Sequence, residues 1–182
     1  MPDVFTKAKR SDVMSRIRSR GNADTELAFV KLLRAHRITG WRRHLPVRVA
    51  VDSRWLIVDR RKRCGSHHQP STKDHQLAVR PDFVFKKSRT AIFVDGCFWH
   101  GCPKHGTKPK GNASFWRRKF AANKSRDARV NRALPRAGWR VLRVWEHELK
   151  RGVRSAERGI PSVVRRIQRV LGLSAGECLA KE

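Results

Sequence analysis

Acidic residues are scarce in this sequence, and their scarcity decides what kind of partner to expect. The chain has 15 Asp and Glu residues against 43 Lys and Arg residues, which gives a formal net charge of +28. A basic excess of this size is typical of domains that bind nucleic acid. We therefore expect a polyanion as the partner.

Long apolar segments are also absent. The sequence has no run of about 18 apolar residues and no apolar N-terminal segment of the signal-peptide type. Membrane surfaces also attract basic chains, but these absences argue against a membrane span and against export. We expect a cytoplasmic, nucleoid-associated protein with no membrane partner.

Cysteine occurs at only four positions, Cys64, Cys97, Cys102 and Cys178. In a reducing compartment, and with histidines close by in the sequence, metal binding is favoured over disulfides. Cys178 has no evident partner.

The length of 182 residues and the hydrophobic content of 39% predict one globular domain over residues 1–182. Within it we expect a loop insertion at 49–80 and a flexible tail at 173–182.

The stretch that organises the chain is residues 91–105, Ala-Ile-Phe-Val-Asp-Gly-Cys-Phe-Trp-His-Gly-Cys-Pro-Lys-His. It reads as a buried strand that ends in a metal-held turn. Cys97, Cys102 and His105 have the spacing C-x4-C-x2-H, and thiolates with imidazoles suit tetrahedral zinc. The candidate fourth ligand is His147, directly after a later strand. The alternative is a pair of buried free cysteines with surface histidines.

Two helices are predicted in the N-terminal part of the chain. Ser11 caps a short one that carries Val13, Met14 and Ile17 on one side. After Gly21 and Asn22, a second helix runs to about His36, with Leu27, Val30 and Leu33 on its core face. Glu26 shares that face and could reach an active site, or it is a first-turn acid favoured by the helix dipole.

The segment 49–80 is predicted to be mostly a polar, solvated loop with one strand at 55–58. Its metal-ligating residue types are Cys64, His67, His68, Asp74 and His75. They suggest a second metal site, although the spacing fits no closed set and a loop without metal is favoured. Because Val-Arg stands at both 47–48 and 79–80, removing 49–80 would join Leu-Pro-Val-Arg directly to Pro-Asp-Phe-Val-Phe.

A hairpin is predicted from Phe83–Phe85 and Thr90–Val94, with Asp82 and Asp95 at one end of it. Carboxylates at strand ends hold hard divalent ions, and phosphodiester hydrolysis needs such an ion to stabilise charge and activate water. A strand-edge aspartate is also a common turn former.

A long basic helix is predicted from Phe115 to about Leu134, followed by a strand at 139–145 and a helix at 161–171 that ends at Gly172. In the long helix, Phe115, Trp116 and Phe120 are interleaved with Arg and Lys. Such a pattern suits nucleic acid, because bases stack on rings while cations hold phosphates. The alternative places the aromatics in the core, which explains Phe120 better than Trp116.

These motifs together resemble the very short patch repair DNA mismatch endonucleases. The resemblance covers nearly the whole chain except 49–80 and the tail. It rests on residues 95–103, Phe-Trp at 115–116, Asn123 with Arg126 and Asp127, residues 138–147, residues 14–46 and Arg-Pro-Asp-Phe at 80–83.

The resemblance implies a restriction-endonuclease-like α/β fold, a mixed central sheet flanked by helices, with a structural Zn²⁺ and a catalytic Mg²⁺. It implies a monomer that nicks one strand of double-stranded DNA beside the thymine of a T:G mismatch. Mismatch-repair proteins are suggested as further partners.

Residue roles follow by position. Asp82 would bind Mg²⁺ with the backbone carbonyl of Val94, His100 would be the general base, and Asp127 would support it. The expected zinc ligands are Cys97, Cys102, His105 and His147. The expected DNA-contacting residues are Met14, Phe98, Trp99, Trp116, Lys119 and Asn123, with the aromatic ones wedged beside the mismatch.

Two departures from the family pattern stand out. Asp95 occupies a position where some relatives have histidine, and an acid there could add to the Mg²⁺ site. The insertion at 49–80 falls just before Asp82. Two alternative functions stay open: a non-catalytic zinc-containing DNA-binding protein, and a nuclease of the same fold acting on other DNA.

Overall fold

A computed structural model describes residues 22–51, 75–107, 109, 111–154 and 160–173. The predicted helix with Met14, the predicted strand at 55–58 and the tail beyond residue 173 lie outside these residues. The elements in chain order are a π-helical turn at Ala23–Leu27, α1 Ala28–Ala35, β1 Trp41–Arg43, β2 Val47–Val51, β3 His75–Val79, β4 Phe83–Phe85, β5 Thr90–Asp95, α2 Ala113–Arg136, β6 Arg140–Trp145, α3 Glu146–Arg154 and α4 Ser162–Leu171.

The first helix begins with a side-chain cap, since the Asp24 amide donates to Asn22 Oδ1 over 2.9 Å. The helix ends at Ala35, with His36 as its C-cap, as predicted. Leu27, however, is 38% exposed, so its assignment to the core face is wrong. The buried face includes Phe29 and Leu33, and two residues correspond to about 200° around a helix, which turns Leu27 away from Phe29.

The central sheet has four strands in the order β1-β4-β5-β6. β1, β4 and β5 pair antiparallel, whereas β5 and β6 pair parallel. β4 is buried throughout and β5 nearly so, because layers cover both faces of the sheet, and this explains why both strands read as continuous apolar runs. The predicted hairpin and the predicted mixed sheet are confirmed.

The two faces of the sheet carry separate hydrophobic clusters. One cluster joins the sheet to α1, α3 and α4 through Phe29, Phe83, Leu149 and Ile167. The other joins the opposite face to β2, β3 and the C-terminal half of α2 through residues that include Val84 and Leu134. The molecule is therefore an α/β protein in which helices flank a mixed sheet.

Residues at both ends of the predicted loop insertion form strands instead. β2 and β3 pair antiparallel, with Val47 opposite Val79 and Val51 opposite His75. Val47, Val49 and Val79 are buried, while the intervening Arg48 is exposed. We name this pair of strands the ribbon; residues 52–74, with Cys64, His67, His68 and Asp74, lie outside the described part.

The remaining predicted elements are present with small shifts at their ends. The long basic helix extends from Ala113 to Arg136, and the strand after it begins at Arg140. Gly172 ends α4 with a φ of 72°, a left-handed conformation that glycine adopts without strain. None of the helices that the structure describes has the length and apolar character needed to span a bilayer.

Candidate active site

The candidate site lies at the sheet edge where β4 begins and β5 and β6 end. β5 and β6 run parallel, with Val94 opposite Val144 and Asp95 opposite Trp145, so their last residues reach the same edge. A cleft of about 860 Å³ opens there. Its lining comes from the first helical turn, β3, the end of β5, the turn at 96–100 and the middle of α2.

Asp82 lies at the floor of this cleft. Its Oδ2 accepts a hydrogen bond of 2.8 Å from the backbone amide of Val94. Burial raises the pKa of Asp82 from an ordinary value of 3.8 to about 6, because a buried carboxylate loses hydration, and the neighbouring Glu26 and Asp95 add to the effect. A cation bound next to such a carboxylate would stabilise its ionised form.

Glu26 reaches Asp82 from the first helical turn. It is only 5% exposed, and its Oε2 accepts hydrogen bonds from Arg43 Nη2 at 2.7 Å and from His44 Nε2 at 2.9 Å. One possible ligand atom each from Glu26, His44 and Asp82 lies within 4.8 Å of the others. Sequence reasoning predicted Glu26 and Asp82 as active-site acids but missed His44. The only hint in the nearby sequence is that His44 directly follows a short basic strand, between Arg43 and Leu45-Pro46.

His100 lies across the cleft with the acid that was expected to support it. Its Nδ1 is 2.7 Å from Asp127 Oδ2 and 3.6 Å from Asp95 Oδ1. Because a carboxylate only accepts, Nδ1 carries the proton, which leaves Nε2 as the basic nitrogen. This is the arrangement that a general base requires.

Arg143, which sequence reasoning also missed, connects the acids of this network. Its Nη1 donates to both oxygens of Asp95 at 2.7 Å each, and its Nη2 donates to Asp127 Oδ1 at 3.1 Å. Its Nε donates to Asn131 Oδ1 at 2.9 Å. The sequence feature that could have pointed to Arg143 is the alternation of Arg and apolar residues along β6. Both oxygens of Asp95 are engaged by arginine, so metal binding by Asp95 stays a prediction.

The four predicted zinc ligands meet at the end of the turn that follows β5. The ligand atoms of Cys97, Cys102, His105 and His147 all lie within 4.8 Å of one another. His147 Nδ1 is 3.2 Å from Cys97 Sγ and 3.6 Å from Cys102 Sγ, and Cys102 Sγ is 4.0 Å from His105 Nδ1. Tetrahedral bonds of about 2.0 to 2.3 Å imply ligand separations of about 3.3 to 3.8 Å, so the cluster fits such an ion after small movements.

The surroundings of the cluster affect the chemistry of its thiols and fix the shape of its turn. Burial raises the pKa of the Cys97 thiol in the metal-free protein, and a metal ion would reverse this by stabilising the thiolate. The Cys97 amide donates to Glu146 Oε2 over 3.2 Å. A Cβ on Gly106 would lie 2.5 Å from the Cys102 carbonyl oxygen, so this turn requires glycine there.

The aromatic residues that were predicted to contact DNA form one cluster beside the cleft. Phe98 lies at its centre, with ring centroids 5.2 Å from Trp99, 5.1 Å from Trp116 and 5.6 Å from Phe120. Phe98, Trp99 and Trp116 are partly exposed, as expected of side chains that could reach a partner.

Two polar residues of α2 were also predicted to contact DNA. Lys119 lines the cleft and is exposed. Asn123 is only 7% exposed, and its amide donates to the Trp99 carbonyl over 2.8 Å, so it anchors the aromatic turn to α2. Contact of Asn123 with DNA stays a prediction, and Met14 lies outside the described residues.

Comparison with known proteins identifies the family to which the sequence is similar. A family model described as DNA mismatch endonuclease Vsr matches residues 68–105. The type II nicking enzyme V.NmeAIP of Neisseria meningitidis serogroup A is 33% identical over 152 residues, which cover 82% of this chain and 86% of that enzyme.

Two further relatives match over shorter stretches. The type II nicking enzyme V.NaeI of Lentzea aerocolonigenes is 56% identical over 72 residues, 40% of this chain and 43% of its own. The DNA mismatch endonuclease Vsr of Escherichia coli K12 is 43% identical over 79 residues, 43% of this chain and 51% of its own. This chain thus spans about half the length of either relative.

The class that these relatives define is that of the endodeoxyribonucleases. The alignment with the meningococcal enzyme decides the particular family, because it spans most of both chains. The chain belongs to the Vsr family.

Proposed function

We propose that this protein is a Mg²⁺-dependent DNA-repair endonuclease that nicks one strand beside the thymine of a T:G mismatch. The observation that carries the proposal is the convergence of Asp82 and the His100–Asp127 pair on one cleft beneath a basic, aromatic-bearing helix. The names of the relatives support it, since they include both a mismatch endonuclease and nicking enzymes.

Asp82 and the backbone carbonyl of Val94 would hold the magnesium ion, with Glu26 nearby. A divalent ion there would stabilise the charge that develops on the phosphate oxygens and activate the attacking water. The chain's own part is to keep a carboxylate fixed and partly desolvated: the Val94 amide fixes Asp82 by its hydrogen bond, and burial removes part of its hydration.

His100 takes the proton of the attacking water on Nε2. Asp127 fixes the tautomer by accepting from Nδ1, and it stabilises the imidazolium that forms. Arg143 holds Asp127 in place and also pairs with the buried Asp95, so that the two neighbouring acids are bridged by one guanidinium.

Recognition of the mismatch would rest on the aromatic cluster. Inserting rings into the base stack costs unstacking energy, and this cost is lowest where the bases already pair poorly. The net charge of +28 would supply the sequence-independent attraction to phosphates.

A zinc ion at Cys97, Cys102, His105 and His147 would have a structural role, because four protein ligands leave no open position for substrate. We propose further that the protein is a monomeric single domain that acts on nucleoid DNA in the cytoplasm, with mismatch-repair proteins as further partners. These assignments come from the family resemblance.

A second candidate function is strand nicking outside T:G repair. It is favoured by the names of the relatives, since V.NaeI and V.NmeAIP are both called type II nicking enzymes. The two functions differ only in the DNA that is cut.

The test compares 5′-labelled duplexes that differ only in a central T:G or C:G pair, with and without Mg²⁺, on denaturing gels. We expect a nick beside the thymine of T:G alone, and only with Mg²⁺. Asp82→Asn is the control, and it should remove nicking but keep most of the DNA affinity, because affinity comes mainly from Lys and Arg.

Other outcomes would separate the alternatives. Binding without cleavage under every metal condition would favour a non-catalytic DNA-binding protein. Equal cleavage of both duplexes would favour a nuclease without mismatch specificity. Parallel loss of binding and cleavage in Asp82→Asn would mean that Asp82 mainly maintains the fold.

A further inference from the structure

His44 is held beside the catalytic carboxylates by the backbone. β1 pairs with β4 so that Arg43 lies opposite Phe83, and the next residues in this register are His44 and Asp82. The pairing continues there, since the His44 amide donates to the Asp82 carbonyl over 3.1 Å. His44 also has a φ of 51°, a left-handed conformation that non-glycine residues rarely adopt and that is frequent at functional sites.

The imidazole points at the same acids. His44 Nε2 is 2.9 Å from Glu26 Oε2, and possible ligand atoms of Glu26, His44 and Asp82 lie within 4.8 Å of one another. This cluster draws on three elements: the first helical turn, the end of β1 and the start of β4. It is separate from the Cys/His cluster on the turn after β5.

Neutralising Glu26 does not by itself explain this histidine. Arg43 already donates to the same Glu26 oxygen over 2.7 Å, and a guanidinium is always charged. Among the described residues, no acceptor contacts the buried Nε of Arg43, so the arrangement is not optimised as an ion-pair network. An imidazole nitrogen close to two carboxylates is, in contrast, a set of ligands that suits transition-metal ions.

We propose that His44 Nε2 exchanges the proton that it donates to Glu26 for the catalytic metal, with the remaining ring proton on Nδ1, so that it binds the ion together with Asp82 and Glu26 and makes this site bind Mn²⁺ more tightly than Mg²⁺. The inference rests on the proposed metal-dependent function and specifies its site. Mg²⁺ prefers oxygen ligands and nearly ideal octahedral geometry, whereas later divalent ions bind imidazole more strongly. The enzyme then works with Mg²⁺ but selects Mn²⁺ when both are present.

The experiment uses the full chain with zinc bound, and Mn²⁺ as the probe. Electron spin-echo spectroscopy detects ¹⁴N coupling from an imidazole bound to Mn²⁺, and competition titrations give the Mn²⁺ and Mg²⁺ affinities. In the wild type we expect coupling to one imidazole and an Mn²⁺ affinity at least about tenfold above that for Mg²⁺.

Two variants test the role of the side chain. His44→Asn keeps a residue that tolerates the left-handed backbone, so it should fold while losing the ¹⁴N coupling and about tenfold or more in Mn²⁺ affinity. His44→Gln places an amide oxygen at comparable reach, and it should narrow the gap between the two metals. His36→Asn, at the end of α1, is the matched control and should change neither measurement.

The results also separate this inference from the proposed function. Persistent ¹⁴N coupling in His44→Asn, or an unchanged Mn²⁺ affinity, would overturn the role of His44 even if Mg²⁺-dependent nicking is intact. Absence of coupling in the wild type, at a site that Asp82→Asn abolishes, would overturn it equally. Circular dichroism and zinc content of each variant exclude a folding defect as the cause.

Discussion

The ionisation of one residue, Asp82, should be visible in the stability of the protein. Its pKa rises from 3.8 to about 6 on folding, so between these values the folded state holds a proton that the unfolded state has released. Protonated Asp82 therefore stabilises the fold below about pH 4, and this contribution is lost as the pH rises through about 6. The loss is at most about 3 kcal/mol.

The measurement is urea unfolding of the Mg²⁺-free, zinc-loaded protein from pH 4 to 7, for the wild type and for Asp82→Asn. The amide mimics the protonated acid, so the variant should gain stability relative to the wild type as the pH rises. Comparing the two proteins cancels the titration of the zinc ligands, which both share. A stability difference that is constant across this range would contradict the raised pKa.

Other residues show how far sequence reasoning reaches at this scale. Cys97, Cys102 and His105 were predictable because their spacing is local. His44 and Arg143 were not, because their partners lie far along the chain: His44 reaches Glu26, and Arg143 spans from Asp95 to Asp127. The pairing of β1 with β4 and of β5 with β6 places His44 and Arg143, and the first helical turn and α2 supply Glu26 and Asp127.

Among the elements, α2 and the turn at 96–105 together present the aromatic cluster to the cleft. If Trp99 wedges into the base stack, Trp99→Ala should cost about 1 to 3 kcal/mol of binding at a T:G site and less on paired DNA. The affinity gap between T:G and C:G duplexes should narrow. The salt dependence of binding should stay unchanged, because it counts phosphate contacts.

Trp139→Ala is the matched control for this prediction. Trp139 packs against the hydrophobic cluster that includes Leu134 of α2, next to the Arg89 guanidinium, so its loss should lower stability and keep discrimination. Affinities for both duplexes and melting temperatures should be measured on both variants. A Trp99 variant that is destabilised but still discriminates would assign Trp99 to the core and leave recognition to polar groups such as Lys119.

The elements differ in how well they could be predicted. The hairpin of β4 and β5 was predictable because both strands are buried on both faces and the turn between them is short. The ribbon was missed because its pairing joins residues on either side of a long polar segment. The exposure of Leu27 was missed because the spacing of only three apolar residues does not determine which side of a helix faces the core.

For the molecule as a whole, the Cys/His cluster connects distant parts of the chain. It joins the turn after β5 to the first turn of α3, which packs against α1 and α4. We expect one zinc per chain by mass spectrometry. Cys97→Ser or His147→Ala should lose the ion and lower the melting temperature, because binding free energy at a structural site contributes to folding.

Cys178→Ser is the control, since Cys178 has no predicted zinc partner, and it should keep both the metal and the stability. Well-folded wild-type protein without zinc would contradict the assignment. So would a Cys97→Ser variant with an unchanged melting temperature but a reduced rate, because the cluster would then act in catalysis.

The ribbon has a genetic consequence. Val51 and His75, where the two strands of the ribbon end and begin, lie directly opposite each other, and partner Cα atoms in an antiparallel pair are about 4.5 to 5.5 Å apart. The two strands therefore have their open ends at nearly one point, whatever number of residues lies between them. We expect that codons between Val51 and His75 can be gained, lost or exchanged as a cassette while the position of Asp82, seven residues beyond His75, is inherited unchanged.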